Sequence, residues 1–164
     1  MASNDKVYYR SPIGFLELVG SADRLKSVRF VDTADPAVGQ ADLSPLLAVC
    51  WAQLDEYFRG ERQVFELNLA PDGSEFQQRV WRQLTTIPYG QTVSYLDIAC
   101  ALGDEKTIRA VGAANGQNKI AIIIPCHRVI GRDGKLVGYG GGLWRKAWLL
   151  NHERKFSSGQ LALF

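Results

Sequence analysis

The N-terminal part of the chain alternates apolar and polar positions with the two-residue period of β-strands. This pattern predicts strands at 7–9, 15–19 and 25–31, with turn residues at 11–14 between the first two. Apolar residues at helical spacing predict a helix over 46–59, which Gly60 would end. Alternation over 65–69 suggests a fourth strand. None of these elements carries a candidate catalytic residue, so we interpret residues 1–72 as a scaffold.

After the turn residues at 71–73, the apolar residues follow the spacing of helices. Ser74 and Gln77 form a capping-box pattern, which predicts a helix to about residue 85. Ser94 and Asp97 open a short helix that Gly103 would end, and a further helix is predicted over 106–115. Helix, glycine-containing turn and helix together are the outline of a helix-turn-helix. A glycine-rich hairpin turn is predicted at 131–135 and a last helix over 144–153.

An apolar run at 120–124 ends abruptly at Pro125 and is followed by Cys126 and His127. The run predicts a buried strand over 122–124, because proline cannot donate a ladder hydrogen bond and restricts the residue before it. A free cysteine is usually a small buried hydrophobe. Here it directly follows a strand, where α/β proteins often place reacting groups, and it has a histidine beside it. Cys126 is therefore a candidate nucleophile and His127 its candidate base.

The Pro-Cys-His-Arg-Val segment at 125–129 resembles the active-site motif of the bacterial-type O6-alkylguanine-DNA alkyltransferases, which repair DNA directly. Segments at 109–115, around Tyr139 and at 148–153 resemble further family segments in the same order. The resemblance implies an α/β protein with a small N-terminal ribonuclease-H-like lobe. A mostly helical C-terminal lobe over 73–155 would hold the helix-turn-helix and the active-site strand, and a tail over 156–164 would have no assigned role.

The resemblance also implies the reaction, a single irreversible transfer of an alkyl group from O6-alkylguanine in DNA to Cys126. The nucleotide would first be flipped out of the duplex. His127 would deprotonate Cys126 through a water, and Glu153 would orient His127. Tyr95 would press on the 3′ phosphate and donate a proton to the guanine N3, while Arg109 would fill the gap in the base stack.

Further residues carry roles by the same resemblance. The expected DNA contacts besides Tyr95 and Arg109 are Ala110, Gly112, Ala113, Asn115, Gly116 and Arg128. The expected substrate pocket consists of Val129, Tyr139, Gly140, Gly141 and Asn118. Within this pocket, Asn118 would tie the helix-turn-helix to the active-site strand. Two departures from the family pattern concern DNA docking: Ile108 stands where many relatives have a small residue, and 104–106 lacks the usual proline.

The second helix of the helix-turn-helix is unusual because Gly112, Ala113, Ala114 and Gly116 leave it almost without side chains. Such a smooth surface either packs against another helix or lets the backbone approach the minor groove of DNA closely. The charge distribution favours a nucleic acid. Residues 1–84 carry 9 Lys and Arg against 12 Asp and Glu, whereas residues 85–164 carry 10 against 5. A basic C-terminal half indicates an anionic partner there.

Composition limits the remaining classes of protein. The 164 residues are 46% hydrophobic and 22% charged, as in globular proteins, and no apolar run or N-terminal signal segment suggests a membrane or secretion. Three widely spaced cysteines favour the cytoplasm. Two histidines without metal-ligand spacing predict no metal, and the glycine cluster does not fit a nucleotide-binding motif, so no cofactor is expected.

Two other functions stay open at the level of the residues. A lesion-binding protein without repair activity would lack the nucleophile, and this chain keeps Cys126. A cysteine hydrolase using Cys126 and His127 would turn over many substrate molecules, whereas a repair protein of this family would react once. We expect a monomer that binds double-stranded DNA. The preference between methyl and larger groups, activity on O4-alkylthymine and cooperative binding along DNA stay open.

Overall fold

The structure, a computed structural model, describes residues 4–35 and 43–158 in two compact units. The first unit runs to Asp72 and includes Lys119–Ala121, and the second comprises Gly73–Asn118 and the chain from Ile122 onward. Among the described residues, no helix is both long and apolar enough to cross a membrane. The mixed composition, a small sheet unit followed by a helical unit, confirms the expected fold class.

The first unit is built on an antiparallel sheet of β1 (Asp5–Ser11), β2 (Gly14–Ser21) and β3 (Arg24–Val31) in sequential order. Helix α1 (Pro45–Phe58) packs on it and is capped by the Ser44 hydroxyl, which accepts from Leu47 N. The core consists of buried apolar side chains of both layers, among them Leu16, Leu18, Leu25, Leu47 and Leu54. The three predicted strands and the predicted helix are confirmed.

The predicted fourth strand at 65–69 is wrong. The segment forms only one bridge to the sheet, between Leu69 and Leu25. The backbone of Glu66 is instead satisfied by a side chain, because Gln53 Nε2 donates to Glu66 O and Glu66 N donates to Gln53 Oε1. A glutamine on α1 thus replaces the neighbouring strand that the alternation suggested.

The second unit contains the predicted helices. Helix α2 (Glu75–Leu84) and helix α3 (Tyr95–Ala101) each begin with a complete capping box, at Ser74 and Ser94. After Gly103, which has a φ of 94°, a 3₁₀ turn over Glu105–Thr107 leads into α4 (Ile108–Gly116). Two short strands that the sequence did not reveal, β4 (Val93–Ser94) and β5 (Val129–Ile130), pair in parallel.

The predicted strand over 122–124 is also wrong, although its residues are buried as expected. The chain pairs with the first unit's sheet only at Ile120, which bridges to Val28. It then turns at Ile122, whose φ of 72° is unusual for a β-branched residue. A 3₁₀ turn over Cys126–Arg128 follows Pro125 directly. The candidate nucleophile therefore lies in a helical turn before a short strand and not at the end of a strand.

The last helix, α5 (Leu143–Ser158), is longer than the predicted 144–153. Its last residues belong to the segment 156–164 that was expected to be a tail. The rest of that segment, from 159 on, lies outside the described residues.

Candidate active site

A buried pair of side chains, His127 and Glu153, lies at the centre of the second unit. His127 is fully buried, and its Nε2 lies 2.6 Å from Glu153 Oε2. A carboxylate can only accept, so the hydrogen must be on Nε2 and the lone pair on Nδ1. His127 Nδ1 is buried and has no hydrogen-bond partner in the described part of the chain. The ring therefore offers an unused basic nitrogen, as the base of a nucleophile requires.

Glu153 is held by a second cationic residue, Arg128. Arg128 Nε donates to Glu153 Oε1 at 2.7 Å and Nη2 donates to Oε2 at 3.1 Å, while Nη1 donates to Ile87 O at 2.7 Å. Gly90 N also donates to Oε1. Burial alone would raise the pKa of Glu153, but His127 and Arg128 hold this pKa well below its usual range. Glu153 is therefore an ionised carboxylate with a fixed orientation.

This arrangement corrects one expected DNA contact. Arg128 is only 6% exposed, and its guanidinium is used by Glu153 and Ile87. It cannot bind a phosphate without leaving a buried carboxylate uncompensated. Arg128 thus belongs with the His127–Glu153 pair.

The electrostatics of His127 favour the neutral ring. Burial lowers the pKa of His127, Glu153 opposes this shift, and the positive charges of Arg128 and Lys146 add to it. A neutral imidazole can accept a proton at physiological pH, whereas an imidazolium cannot.

Cys126 is the first residue of the 3₁₀ turn that also contains His127 and Arg128, and it is 6% exposed. Burial raises the pKa of the Cys126 thiol, while a hydrogen bond from the Asn118 side chain and the charge of Lys146 lower it. Asn118 Nδ2 also donates to Ile124 O at 2.8 Å. Asn118, which follows α4, thus holds the turn before Cys126. The expected tie was to a strand, which residues 122–124 do not form.

Lys146 is a residue of the site that the sequence reasoning missed. Its side chain is fully buried, and Nζ donates to Val137 O at 2.8 Å and to Gly138 O at 3.2 Å. Burial lowers the pKa of Lys146 to about 8, and Cys126 opposes this shift. The helical spacing of 146, 149, 150 and 153 could have identified it, since Leu149 and Leu150 mark the buried face of α5.

Two tyrosines, Tyr95 and Tyr139, lie close enough to Cys126 for its charge to affect them. Tyr95 Oη donates to Val137 O at 3.0 Å. Burial raises the pKa of Tyr95, and the nearby charge of Cys126 raises it further, so the phenol is protonated. Burial and Cys126 likewise raise the pKa of the half-buried Tyr139. Val129 is fully buried. In the glycine segment, Gly142 N donates to Tyr139 O and Gly141 O accepts from Arg145 Nη1.

Helix α4 presents an exposed face of small residues. Arg109, Ala110, Ala113 and Gly116 are exposed, and Gly112 is half-buried. A Cβ atom built at Gly116 would meet no atom within 4 Å, and one at Gly112 would reach only Tyr95 Cδ1 at 4.0 Å. No other helix packs on Gly112 or Gly116, so packing does not explain why these residues are small. The open space favours the alternative that a ligand approaches this face.

Asn115 does not belong to the exposed face of α4. It is 3% exposed, and its Nδ2 donates to Cys126 O at 3.4 Å. The expectation that Asn115 contacts DNA is thus corrected, because the side chain supports the backbone of Cys126 from inside the unit.

The other cysteines differ from Cys126 in their surroundings. Cys50 is fully buried in α1, and burial raises its pKa to about 12. Cys100 is exposed on α3. All three are free thiols. Within 4–35 and 43–158, no three His, Cys, Asp or Glu side chains are grouped so that they could hold a metal ion.

Comparison with known proteins covers nearly the whole chain. The family model described as "6-O-methylguanine DNA methyltransferase, DNA binding domain" matches residues 75–155, and the corresponding "ribonuclease-like domain" model matches residues 6–71. A relative from Mycolicibacterium paratuberculosis, named methylated-DNA–protein-cysteine methyltransferase, is 52% identical over 156 residues, which is 94% of each chain. A relative of the same name from Mycobacterium tuberculosis is 47% identical, over 96% of this chain and 99% of its own.

Solved structures agree with these matches. The crystal structure of a Mycobacterium tuberculosis O6-methylguanine methyltransferase has a TM-score of 0.84 and 44% identity, covering 96% of this chain and 97% of its own. A Mycobacterium tuberculosis OGT in complex with DNA has a TM-score of 0.80 and 44% identity, with 93% of each chain covered.

Proposed function

The chain belongs to the 6-O-methylguanine DNA methyltransferase family, and we propose that Cys126 is the residue that accepts the alkyl group. Direct repair, by transfer of an alkyl group from DNA to a cysteine of the protein, is the activity of this chain as a member of that family. The observation that carries the assignment to Cys126 is its position next to a buried histidine whose Nε2–H is bound by Glu153 and whose Nδ1 is free to accept a proton.

Activation of the thiol begins at Glu153. This carboxylate fixes the tautomer of His127, and Arg128 fixes the carboxylate. His127 Nδ1 then takes the proton of the Cys126 thiol through one bridging water, and Glu153 stabilises the imidazolium that forms. Lys146 supplies a nearby positive charge, which favours the thiolate over the thiol. Arg128 and Asn118 act as positioning residues, since they hold other groups and not the substrate.

The transfer itself is one substitution. The Cys126 thiolate attacks the alkyl carbon, the bond from this carbon to guanine O6 breaks, and the electron pair of that bond remains with the guanine. Tyr95 donates a proton to N3 of the leaving base, and its raised pKa keeps the phenol protonated for this step. The product is a thioether, which water does not hydrolyse. Each protein molecule therefore reacts once.

DNA is the partner of this family, and we assign its approach to the exposed face of α4. The flat surface around Ala110, Ala113 and Gly116 fits a shallow approach to the minor groove. Arg109 projects from this face and fills the gap that the flipped nucleotide leaves. Val129 and Tyr139, with the backbone of Gly140 and Gly141, contact the flipped base. We place this action in the cytoplasm, with which the free thiols agree. The protein would act as a monomer.

Stoichiometry separates repair from hydrolysis. Mixing the protein with excess O6-methylguanine duplex should add one methyl group to each molecule, as intact mass shows, and then the reaction should stop. Continued release of product from excess substrate, with no mass added to the protein, would overturn the proposal in favour of a cysteine hydrolase. The Cys126→Ser variant provides the control, because it should bind the duplex and gain no mass.

A further inference from the structure

A surface cleft of about 500 Å³ lies beside the expected DNA-binding face. It is lined by Tyr95 and Leu96 from the start of α3, by Ile108 at the start of α4, and by Arg132 and Asp133 from the turn after β5. Ile108 is directly followed by Arg109, and Tyr95 is the residue expected against a DNA phosphate. The cleft therefore continues the surface that should meet DNA.

The pairing of β4 with β5 explains why the turn lies there. Val93 pairs with Val129 and Ser94 with Ile130, so the chain leaves β5 beside the first residue of α3. The turn is closed by two backbone hydrogen bonds, from Gly134 N to Gly131 O and from Gly131 N to Lys135 O, both 2.9 Å long. Gly134 has a φ of 81°, which favours glycine at this position. Arg132 thus projects from a turn with a defined backbone.

The two charged side chains of the cleft differ in whether another residue already pairs with them. The exposed Arg132 makes no ion pair or hydrogen bond within the described residues. The carboxylate of Asp133 is engaged by its neighbour, because Oδ1 accepts from Lys135 N at 3.1 Å and Oδ2 lies 3.8 Å from Lys135 Nζ. Arg132 can therefore bind a ligand, while Lys135 partly compensates the negative charge of Asp133.

We infer that this cleft binds the DNA backbone next to the flipped nucleotide, with Arg132 contacting a phosphate. The walls supplied by Leu96 and by Ile108, which is 39% exposed, fit the apolar face of a deoxyribose. Arg132 and Tyr95 then hold the backbone from two sides of the cleft. This assignment rests on the proposed function and adds a DNA contact that the family resemblance did not include.

The test is the salt dependence of duplex binding, measured in a Cys126→Ser background so that no transfer occurs. Removing one phosphate contact lowers the slope of log K against log salt by about 0.9. Arg132→Gln should show this loss, and Arg132→Lys should retain the slope. Lys135→Gln is the matched control, since it removes a cation of the same turn that does not line the cleft. In the Cys126 protein, Arg132→Gln should react with free O6-benzylguanine at the parent rate, which also shows that it folds.

The outcomes separate this inference from the proposed function. A slope for Arg132→Gln equal to that of the parent overturns the phosphate contact while leaving repair intact. An equal loss in Lys135→Gln overturns the assignment to the cleft, because the effect would then be a general one of surface charge. A slower reaction of Arg132→Gln with the free base also overturns it, since Arg132 would then act on the active site. A parent that binds no duplex overturns both proposals.

Discussion

Lys146 and Tyr95 donate to the same acceptor, the carbonyl oxygen of Val137, at 2.8 and 3.0 Å. The Lys146 ammonium also lies 5.9 Å from the centre of the Tyr95 ring. A buried cation and the proposed proton donor to the substrate are thus coupled through one backbone group near Cys126. Tyr95 must exchange Val137 O for the guanine N3 when it acts on the substrate, and Lys146 can satisfy this carbonyl alone after the exchange.

Replacing Lys146 by methionine should slow alkyl transfer. The variant removes the cation that lowers the pKa of Cys126 and keeps a side chain of similar volume. Each unit by which the Cys126 pKa rises costs about tenfold in thiolate at a pH below that pKa. The measurement is the pH dependence of Cys126 carboxymethylation, together with single-turnover repair. Lys155→Met, an exposed change on the same helix, serves as control. An unchanged Cys126 pKa would remove Lys146 from thiol activation.

Glu153→Gln should slow transfer much more than it weakens DNA binding. Glutamine cannot replace an anion that fixes the His127 tautomer and stabilises the imidazolium. Loss of general-base assistance costs roughly a hundredfold or more. Single-turnover rates and duplex affinity measure the two effects, with the exposed Glu75→Gln as control. Equal rates for Glu153→Gln and the parent would contradict the role of Glu153.

The pH dependence of transfer should reveal the neutral His127. Burial places the pKa of His127 below its ordinary 6.5. A base whose folded pKa is lowered is fully available above that pKa and is lost as the pH falls through it. Protonation of His127 should therefore cause no loss of rate with free O6-benzylguanine while the pH stays above 6.5, and the further loss that it adds to the titration of Cys126 should begin only below it. A His127→Gln variant, which lacks this base, should lose that low-pH step; a step centred above pH 6.5 that disappears in His127→Gln would mean that His127 is not shielded by burial.

Arg128 should matter for stability and not for phosphate binding. Removing one partner of a buried ion pair costs about 3–5 kcal/mol. Arg128→Gln should therefore lower the free energy of unfolding in urea by an amount of this order. A double-mutant cycle with Glu153→Gln should be strongly non-additive, because both changes break the same pair. If the variant is as stable as the parent and instead lowers the salt slope of DNA binding, the original expectation of a DNA contact is right.

Arg109→Ala should separate base flipping from chemistry. Unstacking a base costs a few kcal/mol, so repair of duplex O6-methylguanine should fall by about tenfold or more. Reaction with free O6-benzylguanine, which needs no flipping, should change little. Arg82→Ala, which removes an exposed cation of α2, is the control. Equal losses with duplex and free base would place Arg109 in support of the fold, and wild-type duplex repair would mean that another element enters DNA.

Local signals explain what the sequence predicted well. The capping boxes at Ser74 and Ser94 are contacts between residues three apart, so they can be identified without the fold. Burial follows the two-residue period most clearly in β1, at 7, 9 and 11, and positions 16, 18 and 20 of β2 are buried as well. The position of Gly103 after α3 and its positive φ likewise follow from local backbone requirements.

Non-local contacts explain the errors. Gln53 satisfies the backbone of Glu66, which no pattern over 65–69 could indicate. The parallel pair of β4 and β5 is too short to give a periodic signal. Glu153 entered the site only through the family resemblance, which also assigned Arg128 to DNA. No local pattern indicates that Arg128 pairs with Glu153, because the two residues are 25 apart. Lys146 was missed since a lysine on a helix is normally exposed.

The most direct test of the whole account is the position of the adduct. The protein is mixed with duplex DNA that carries an isotopically labelled methyl group on guanine O6, and its peptides are then mapped by mass spectrometry. We expect one labelled methyl group per molecule, on Cys126, with Cys50 and Cys100 unlabelled and with no label in the Cys126→Ser variant. Label on Cys50 or Cys100, or persistence of labelling in Cys126→Ser, would contradict the assignment of Cys126 as the alkyl acceptor.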